Sequence, residues 1–175
     1  MKLMVSDHSF EPHVRRPCVD DASEMWRVVA ESGVLDCNSP YLYLLLCRHF
    51  RETCLVAEHG NQIVGFVSGY RLPEAGNTLF VWQIGVSPSA QRRGVASRLL
   101  HHLVQQCRQS CLEFVEATVS PSNTASRRLF HSLARTLNVP LTETTGFEQK
   151  HFPVPSDANA TPHEAEPLLR LGPLT

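Results

Sequence analysis

The sequence predicts an α/β domain in which a mixed, mostly antiparallel sheet is flanked by about four helices. Strand-like runs rich in β-branched and aromatic residues alternate with runs of helical apolar period. Residues 53–58 and 62–70 are two such strands joined by His59-Gly60-Asn61, which predicts an antiparallel hairpin. Within residues 80–100 the apolar period changes from strand to helix across a short polar turn. We therefore expect the rest of the fold to be arranged around that turn.

The length of 175 residues, with 42% hydrophobic and 19% charged residues, suits one globular domain. We expect that domain to span residues 13–171. Residues 1–12 contain no apolar signal core and are predicted as a disordered lead. Residues 172–175 remain as a short tail.

The chain begins with a short predicted strand at residues 13–16. Asp20 or Asp21 can cap a helix over Ala22–Ser32, and Gly33 is suited to end it.

A second helix is predicted over residues 41–50, with Ser39 as its N-cap and Pro40 at its first position. It is apolar on most sides, so we expect it to be largely buried. Asp36 and Asn38 lie in the turn before it. Local capping explains both side chains without a functional role.

The remaining predicted elements follow in order: a polar loop at 72–77, a central strand at 78–86, a helix over Val95–Arg108, a strand at 114–119 and a helix at 125–137. Asn123 lies at the junction of the last two and can cap the helix. The Pro-rich segment 138–175 is predicted to contain two short strands, near 144–148 and 168–171.

The polar turn at 89–94 has the composition of an anion site. The backbone N–H groups in the first turn of a helix have no intrahelical partner, and the helix dipole adds partial positive charge. Gly94 has no Cβ, so the backbone can approach a phosphate closely. Arg92 and Arg93 add charge at the rim. These features favour a pyrophosphate ligand. The alternative is a surface turn with two solvated arginines.

The chain contains neither G-x-x-x-x-G-K-[ST] nor G-x-G-x-x-G. Gln91-x-x-Gly94-x-Ala96, directly after a strand, resembles the Q/R-x-x-G-x-G/A loop of the GNAT superfamily of N-acetyltransferases. The resemblance implies a GNAT fold and acetyl-CoA as cosubstrate. It places these residues at the cofactor: Ile84, Gly85, Val86, Gln91, Arg92, Arg93, Gly94, Val95, Ala96, Ser97 and Asn123.

In a GNAT fold the strand before this loop diverges from the next strand, and pantetheine hydrogen-bonds to its backbone. Residues 83–86 would fill that role here. Many relatives place a Tyr on the fourth helix, in an L-Y pair, to protonate the thiolate. This chain has Leu129-Phe130 instead, and Phe130 cannot donate a proton. Tyr41, Tyr43 and Tyr70 remain without an assigned role.

Several separated blocks resemble the bacterial L-2,4-diaminobutyrate acetyltransferases of ectoine synthesis. They are LDCNSPYLYLLLCRHFRETCLVAE at 35–58, IVGFVSGY at 63–70, WQIGVSP at 82–88, SPSNTAS at 120–126 and HEAEPLLRL at 163–171. The resemblance implies acetyl transfer to the 4-amino group of L-2,4-diaminobutyrate by a homodimer. We also expect the apolar strand at 168–171 to be able to pair across chains.

A pocket that binds a diamino acid needs carboxylates for the two ammonium groups and an apolar wall that fits the carbon chain. With the resemblance, this predicts substrate contacts by Asp36, Asn38, Trp82, Glu164 and Glu166. Of these, Asp36, Glu166 and Glu164 are the candidates for taking the proton from the amine. The alternatives are that Trp82 packs in the core and that the two glutamates, with His163, belong to a solvated tail.

The formal net charge of −1 and the scattered basic residues give no reason to expect nucleic acid or a membrane surface as a partner. The six cysteines are read as reduced thiols in the cytoplasm, and no metal site is expected. Two other functions remain open. One is acetylation of another small amine or a protein N-terminus, and the other is a non-catalytic acyl-CoA-binding module.

Overall fold

The computed structural model describes residues 10–33, 35–155 and 161–174. Most of the predicted lead, residues 1–9, lies outside those ranges, as does Thr175. The strands are β1 (His13–Arg15), β2 (Cys54–His59), β3 (Gln62–Leu72), β4 (Ala75–Val86), β5 (Phe114–Thr118), β6 (Leu141–Phe147) and β7 (Glu166–Leu171). The helices are α1 (Ala22–Ser32), α2 (Pro40–His49), α3 (Val95–Arg108) and α4 (Thr124–Leu137).

The seven strands form one sheet in the order β1-β2-β3-β4-β5-β7-β6. The pair β4–β5 is parallel, whereas β1–β2, β2–β3, β5–β7 and β6–β7 are antiparallel. The predicted α/β class, with a mixed and mostly antiparallel sheet and four helices, is therefore confirmed.

The chain divides into two compact units. The first runs to Ser68 and includes Ile84–Leu99, and the second comprises Gly69–Gln83 and the chain from Leu100 onward. The assignment of residues 13–171 to a single domain stays a prediction.

The first unit is built on α1, whose predicted bounds are confirmed. Its residues Met25, Val28 and Val29 are fully buried in an apolar cluster with Tyr43 and Phe66. Such a cluster is the main source of stability for a marginal amphipathic helix. Gly33 ends α1 in the left-handed conformation, with φ of 64°.

Neither predicted cap of α1 acts as one. Asp21 stands at the N-cap position with helical dihedral angles and makes no side-chain cap there. Its carboxylate instead accepts two hydrogen bonds from the Arg15 guanidinium, at 2.7 and 2.8 Å, and one from the Cys18 N–H at 2.7 Å. Burial alone would raise the pKa of Asp21, but these hydrogen bonds outweigh it and lower that pKa. The same pair raises the pKa of Arg15.

Helix α2 begins as predicted, with Pro40 at its first position and the Ser39 hydroxyl accepting a hydrogen bond from the Tyr41 N–H. The expectation that α2 is largely buried is wrong. Tyr41 is 64% exposed and Leu44 39% exposed. Only one face of α2 packs on α1, and these two residues lie three positions apart on the opposite face.

The predicted hairpin is confirmed, with β2 and β3 antiparallel. The polar loop predicted at 72–77 is wrong in length, since β3 extends to Leu72 and β4 begins at Ala75. The Arg71 guanidinium explains the extension, because it donates to the Gly76 carbonyl at 2.7 Å and to the Cys107 carbonyl at 2.8 Å.

In the second unit, β7 lies between β5 and β6. Leu169 and Leu171 are fully buried, and Arg170 donates to the buried Glu116 carboxylate at 2.5 Å. Both hydrogen-bonding edges of β7 are therefore occupied. The expectation that this tail strand could pair across chains is wrong, because β6 forms that edge of the sheet. No described helix is long and apolar enough to cross a membrane.

Candidate functional site

The loop between β4 and α3 has the geometry of an anion site. A short 3-10 turn, Pro88–Ala90, follows β4, and the chain then passes through left-handed positions at Arg92 (φ 59°) and Gly94 (φ 77°). The Arg98 N–H donates to the Gly94 carbonyl at 2.9 Å, which begins the hydrogen bonding of α3. The N–H groups of residues 95–97 precede that bond, so they are available to a ligand.

The side chains of the loop leave its backbone accessible. Gln91, Arg92, Arg93 and Gly94 are all exposed. The Gln91 side chain turns back to donate to the Val86 carbonyl at 3.4 Å. Among the described residues other than its two chain neighbours, none places a heavy atom within 4 Å of a Cβ built on Gly94. The loop can therefore admit a phosphate to the backbone N–H groups without moving a neighbour.

Strand β4 leads into the loop and pairs in parallel with β5 through its earlier residues. Their parallel ladder pairs Thr78 with Phe114, Leu79 with Val115 and Phe80 with Glu116. β5 continues to Thr118 and β4 to Val86, so Ile84, Gly85 and Val86 form the end of β4 directly before the loop.

Trp82 lies on β4 and is 46% exposed, whereas its neighbours Val81 and Gln83 are 3% and 9% exposed. Alternate residues of a strand face opposite sides of the sheet. Trp82 therefore points to the less buried face, and plain core packing does not describe it.

Asp36 and Asn38 lie in the turn before α2. The Asn38 amide donates to the Asp36 carbonyl at 3.4 Å, and the Trp26 indole donates to the Asn38 carbonyl at 3.2 Å. Asn38 thus takes part in local bonding within the turn, although its amide donates to a carbonyl and does not cap the helix. Ser39, rather than either of these residues, caps α2. The Asp36 residue is exposed.

Glu166 stands at the first position of β7 and is not part of a solvated tail. Its Oε2 accepts a hydrogen bond from the Thr118 hydroxyl at 2.7 Å, and its Oε1 lies 3.9 Å from His163 Nε2. The Glu166 side chain is 27% exposed. The carboxylate is therefore held in place while one side stays accessible to solvent or to a cation.

Glu164 and His163 are also anchored. The Ser122 N–H donates to Glu164 Oε2 at 3.2 Å, next to Asn123, which caps α4 by accepting from the Ser126 N–H at 3.1 Å. The His163 ring stacks on Phe152 with centroids 3.7 Å apart. In this unit the turn after β5 and the segment before β7 are thus joined through polar side chains.

Sequence reasoning missed two residues that touch predicted site residues, Thr118 and Phe10. Thr118 is the last residue of β5. A polar residue at the end of a strand, next to a turn, is the sequence signal that could have indicated its role. Phe10 falls within the predicted lead. Its ring lies against His59, and the Arg93 guanidinium stacks over it. No local pattern indicated that contact.

The tyrosines and cysteines differ in their access to solvent. Phe130, at the position of the expected helix Tyr, is 2% exposed, and Tyr43 is fully buried. Burial raises the pKa of the Cys47 thiol to about 12. No disulfide joins any of the six cysteines, all of which lie in the described ranges. Over the described ranges, no three His, Cys, Asp or Glu side chains gather as metal ligands would.

The chain belongs to the acetyltransferase (GNAT) family, whose pattern it matches over residues 18–134. The E. coli ribosomal-protein-S18-alanine N-acetyltransferase shares the fold, with a TM-score of 0.69 at 15% identity over 93% of this chain and 94% of that one.

Within the family, the chain is similar to L-2,4-diaminobutyric acid acetyltransferases. The Halalkalibacterium halodurans protein is 43% identical over 161 residues, which cover 92% of this chain and 82% of the relative. The Streptomyces coelicolor protein is 40% identical over 164 residues, 93% of each. The solved diaminobutyrate acetyltransferase EctA from Paenibacillus lautus, in complex with its substrate L-2,4-diaminobutyric acid and coenzyme A, is 43% identical with a TM-score of 0.87. The match covers 95% of this chain and 97% of that one.

Proposed function

We propose that this protein transfers the acetyl group of acetyl-CoA to the 4-amino group of L-2,4-diaminobutyrate. The observation that carries the proposal is the match, at 43% identity over nearly the whole of both chains, to an enzyme solved with that substrate and coenzyme A. The β4–loop–α3 geometry supports it, because it provides an anion site directly after a strand.

The cofactor residues follow from that geometry. The N–H groups of Val95, Ala96 and Ser97 bind the pyrophosphate at the start of α3, with Gly94 leaving room for it. Gln91, Arg92 and Arg93 line the rim. The backbone of Ile84, Gly85 and Val86 accompanies the pantetheine chain. Asn123 caps α4 through its side chain and is proposed to contact the same cofactor.

Acetyl-CoA supplies the thioester, and the residues of the chain have three tasks. They must bind the amine and remove its proton, since a free alkyl ammonium has a pKa of about 10. They must stabilise the negative charge that develops on the thioester oxygen, for which an N–H of β4 is suited. They must also allow the CoA thiolate to leave. Phe130 cannot protonate it, so departure of the thiolate unprotonated, or its protonation through water or another side chain, takes the place of the helix Tyr.

Glu166 is the first choice for binding a substrate ammonium. Its carboxylate is oriented by Thr118 and remains partly accessible. Glu164 is the second choice in this region and is more exposed. Either carboxylate is a candidate for accepting the proton, directly or through water. A charge-assisted contact of this kind is worth about 1.5–3 kcal/mol.

Asp36, Asn38 and Trp82 are proposed to bind the substrate on the strength of the resemblance. Asp36 would contact an ammonium group and is a candidate proton acceptor. Trp82 presents an accessible indole face, which can attract a cation. Asn38 already donates within its turn, so its contribution would be through the remaining polar atoms of its amide.

The test is thiol release from acetyl-CoA with L-2,4-diaminobutyrate, ornithine, lysine, spermidine and an N-terminal peptide. The proposal predicts that diaminobutyrate gives the highest kcat/KM. If another amine gave the highest kcat/KM, the assignment as an acetyltransferase would stand and diaminobutyrate would be rejected as its substrate. CoA binding without thiol release for any amine would favour the non-catalytic module.

We also propose that the enzyme is a cytoplasmic homodimer that commits diaminobutyrate to ectoine synthesis. The burial of Cys47, Cys54 and Cys107 as single cysteines in the core suits a reducing compartment. Strand β6 forms one edge of the sheet, where a second chain can pair. Light scattering after size-exclusion chromatography tests the dimer, and a mass of one chain would reject it.

A further inference from the structure

Arg93, the residue before Gly94 in the loop, rests on an aromatic side chain from the start of the described chain. Its guanidinium carbon lies 4.6 Å from the centroid of the Phe10 ring. Phe10 is itself supported by His59 at the end of β2, with ring centroids 4.5 Å apart and planes tilted by 44°. All three residues belong to the first compact unit.

Stacking orders this arginine without using its hydrogen-bond donors. A guanidinium is planar, and its N–H groups point outward in that plane. The face contacts the ring of Phe10, so the edge remains available to an anion. Over the described ranges, Arg93 makes no hydrogen bond or ion pair with a carboxylate. An exposed arginine would otherwise lose considerable rotamer freedom on binding a ligand.

We propose that Phe10 is a positioning residue for coenzyme A. It holds the Arg93 guanidinium beside the loop so that the N–H edge can bind a phosphate group of CoA. The inference rests on acetyl-CoA being the ligand of this loop, as proposed above. It deepens that proposal by adding a residue from outside the predicted domain to the cofactor site.

The neighbouring Arg92 provides a matched control. It is equally exposed and lies in the same loop, with φ of 59°. In the described part of the chain, no aromatic ring lies under its guanidinium. Replacing either arginine removes one positive charge from the loop. An effect of Phe10 on CoA binding, in contrast, should depend on Arg93 alone.

The experiment measures the Kd of CoA by titration calorimetry on the full chain, without any amine. Phe10→Leu keeps an apolar side chain of similar size but removes the π face. Phe10→Trp keeps the π face. We expect the Leu variant to raise the Kd about three- to tenfold and the Trp variant to stay within about twofold of wild type. Thermal melting of each variant checks that it is folded.

A double-mutant cycle separates positioning from packing. In an Arg93→Ala background, Phe10→Leu should change the Kd of CoA no further, while in an Arg92→Ala background it should keep its full effect. An unchanged Kd in Phe10→Leu, or an equal rise in the Arg93→Ala background, would overturn the inference. If Phe10→Leu does not fold, the Arg93→Ala variant still tests the inference. An unaltered Kd of CoA in Arg93→Ala would overturn it as well.

Two CoA phosphates present the same chemistry, the pyrophosphate and the ribose 3′-phosphate. Dephospho-CoA lacks the 3′-phosphate. If Arg93 binds that group, Phe10→Leu affects CoA and leaves dephospho-CoA unchanged; if it binds the pyrophosphate, both ligands weaken alike. Because no amine is present, failure of diaminobutyrate as acceptor leaves this result intact. Absence of CoA binding by the wild-type protein would remove the cofactor assignment and the inference together.

Discussion

Replacement of Gly94 separates the conformational requirement of the loop from its role in binding. Gly94 has φ of 77°, and a Cβ built on it meets no described heavy atom within 4 Å beyond its two chain neighbours. In the free protein, Gly94→Ala therefore costs only the left-handed conformation, about 1–2 kcal/mol. Reduced freedom of the unfolded chain offsets about 0.4–1 kcal/mol of that. The net loss is about 1 kcal/mol, or roughly 2–4 °C in Tm for a chain of this size.

Gly94→Asn is the sharper variant. Asparagine tolerates the left-handed region, and Asn138 already adopts it at φ of 54°. We therefore expect Gly94→Asn to be nearly as stable as wild type. Its side chain would nevertheless occupy the approach to the N–H groups of residues 95–97. Loss of one charge-assisted hydrogen bond there, about 1.5–3 kcal/mol, raises the Kd of CoA roughly 10- to 100-fold.

The assay combines thermal melting with CoA titration. Gly33→Asn is the matched control, because Gly33 has φ of 64°, an equally open Cβ position and a place at the end of α1. It should change the melting temperature as little as Gly94→Asn and leave the Kd of CoA unaltered. Wild-type CoA affinity in a folded Gly94→Asn variant would refute close approach of the ligand to this backbone.

Four further predictions follow from the described contacts. Asp21→Asn breaks the ion pair between the buried Asp21 and the part-buried Arg15, and should cost about 1.5–3 kcal/mol of unfolding free energy at pH 7 by urea denaturation. Because the folded-state pKa of Asp21 is lowered, the wild-type advantage should be present above about pH 4 and shrink as the pH falls further. Glu166→Gln should raise the KM for diaminobutyrate at least about tenfold and leave the Kd of CoA unchanged; the opposite pattern would reject its role. Phe130→Tyr should not raise kcat and should lower the Tm, since it adds a hydroxyl at a buried position. Cys47 should resist thiol reagents at pH 8 in the native protein, and labelling as fast as at the exposed Cys37 would contradict its raised pKa.

Local sequence signals correctly predicted those elements whose ends are determined by neighbouring residues alone. The change of apolar period at residues 80–100, with Gly94 between strand and helix, correctly placed the end of β4, the loop and α3. Gly33 ended α1 where expected, and Ser39 with Pro40 began α2. In each of these cases the residue type determines the backbone conformation or a hydrogen bond within a few residues.

Contacts between distant residues could not be predicted in this way. Asp21 was assigned to a cap because its partner Arg15 lies in another element. Arg71 shortens the predicted loop through carbonyls that sequence spacing does not place beside it. Tyr41 remains exposed because periodicity gives the apolar positions of α2 but not which of its faces is covered.

The candidate site also contains one part that local sequence signals predict and one part that depends on contacts between distant residues. The anion loop is continuous in sequence, so its residues could be named from their pattern. The setting of Glu166 depends on Thr118, at the end of β5, and on His163. The resemblance pointed to Glu166, but the hydrogen bond that orients it required the paired strands β5 and β7.

The most direct test of the central claim is the identity of the product formed from [1-13C]acetyl-CoA and L-2,4-diaminobutyrate. Carbon–proton correlation NMR distinguishes an acetyl group on the 4-nitrogen from one on the 2-nitrogen through the neighbouring CH2 or CH proton. The account predicts a single 4-acetylated product, formed with stoichiometric release of CoA thiol. Acetylation at the 2-position, or no labelled amide while another amine is turned over, would contradict it.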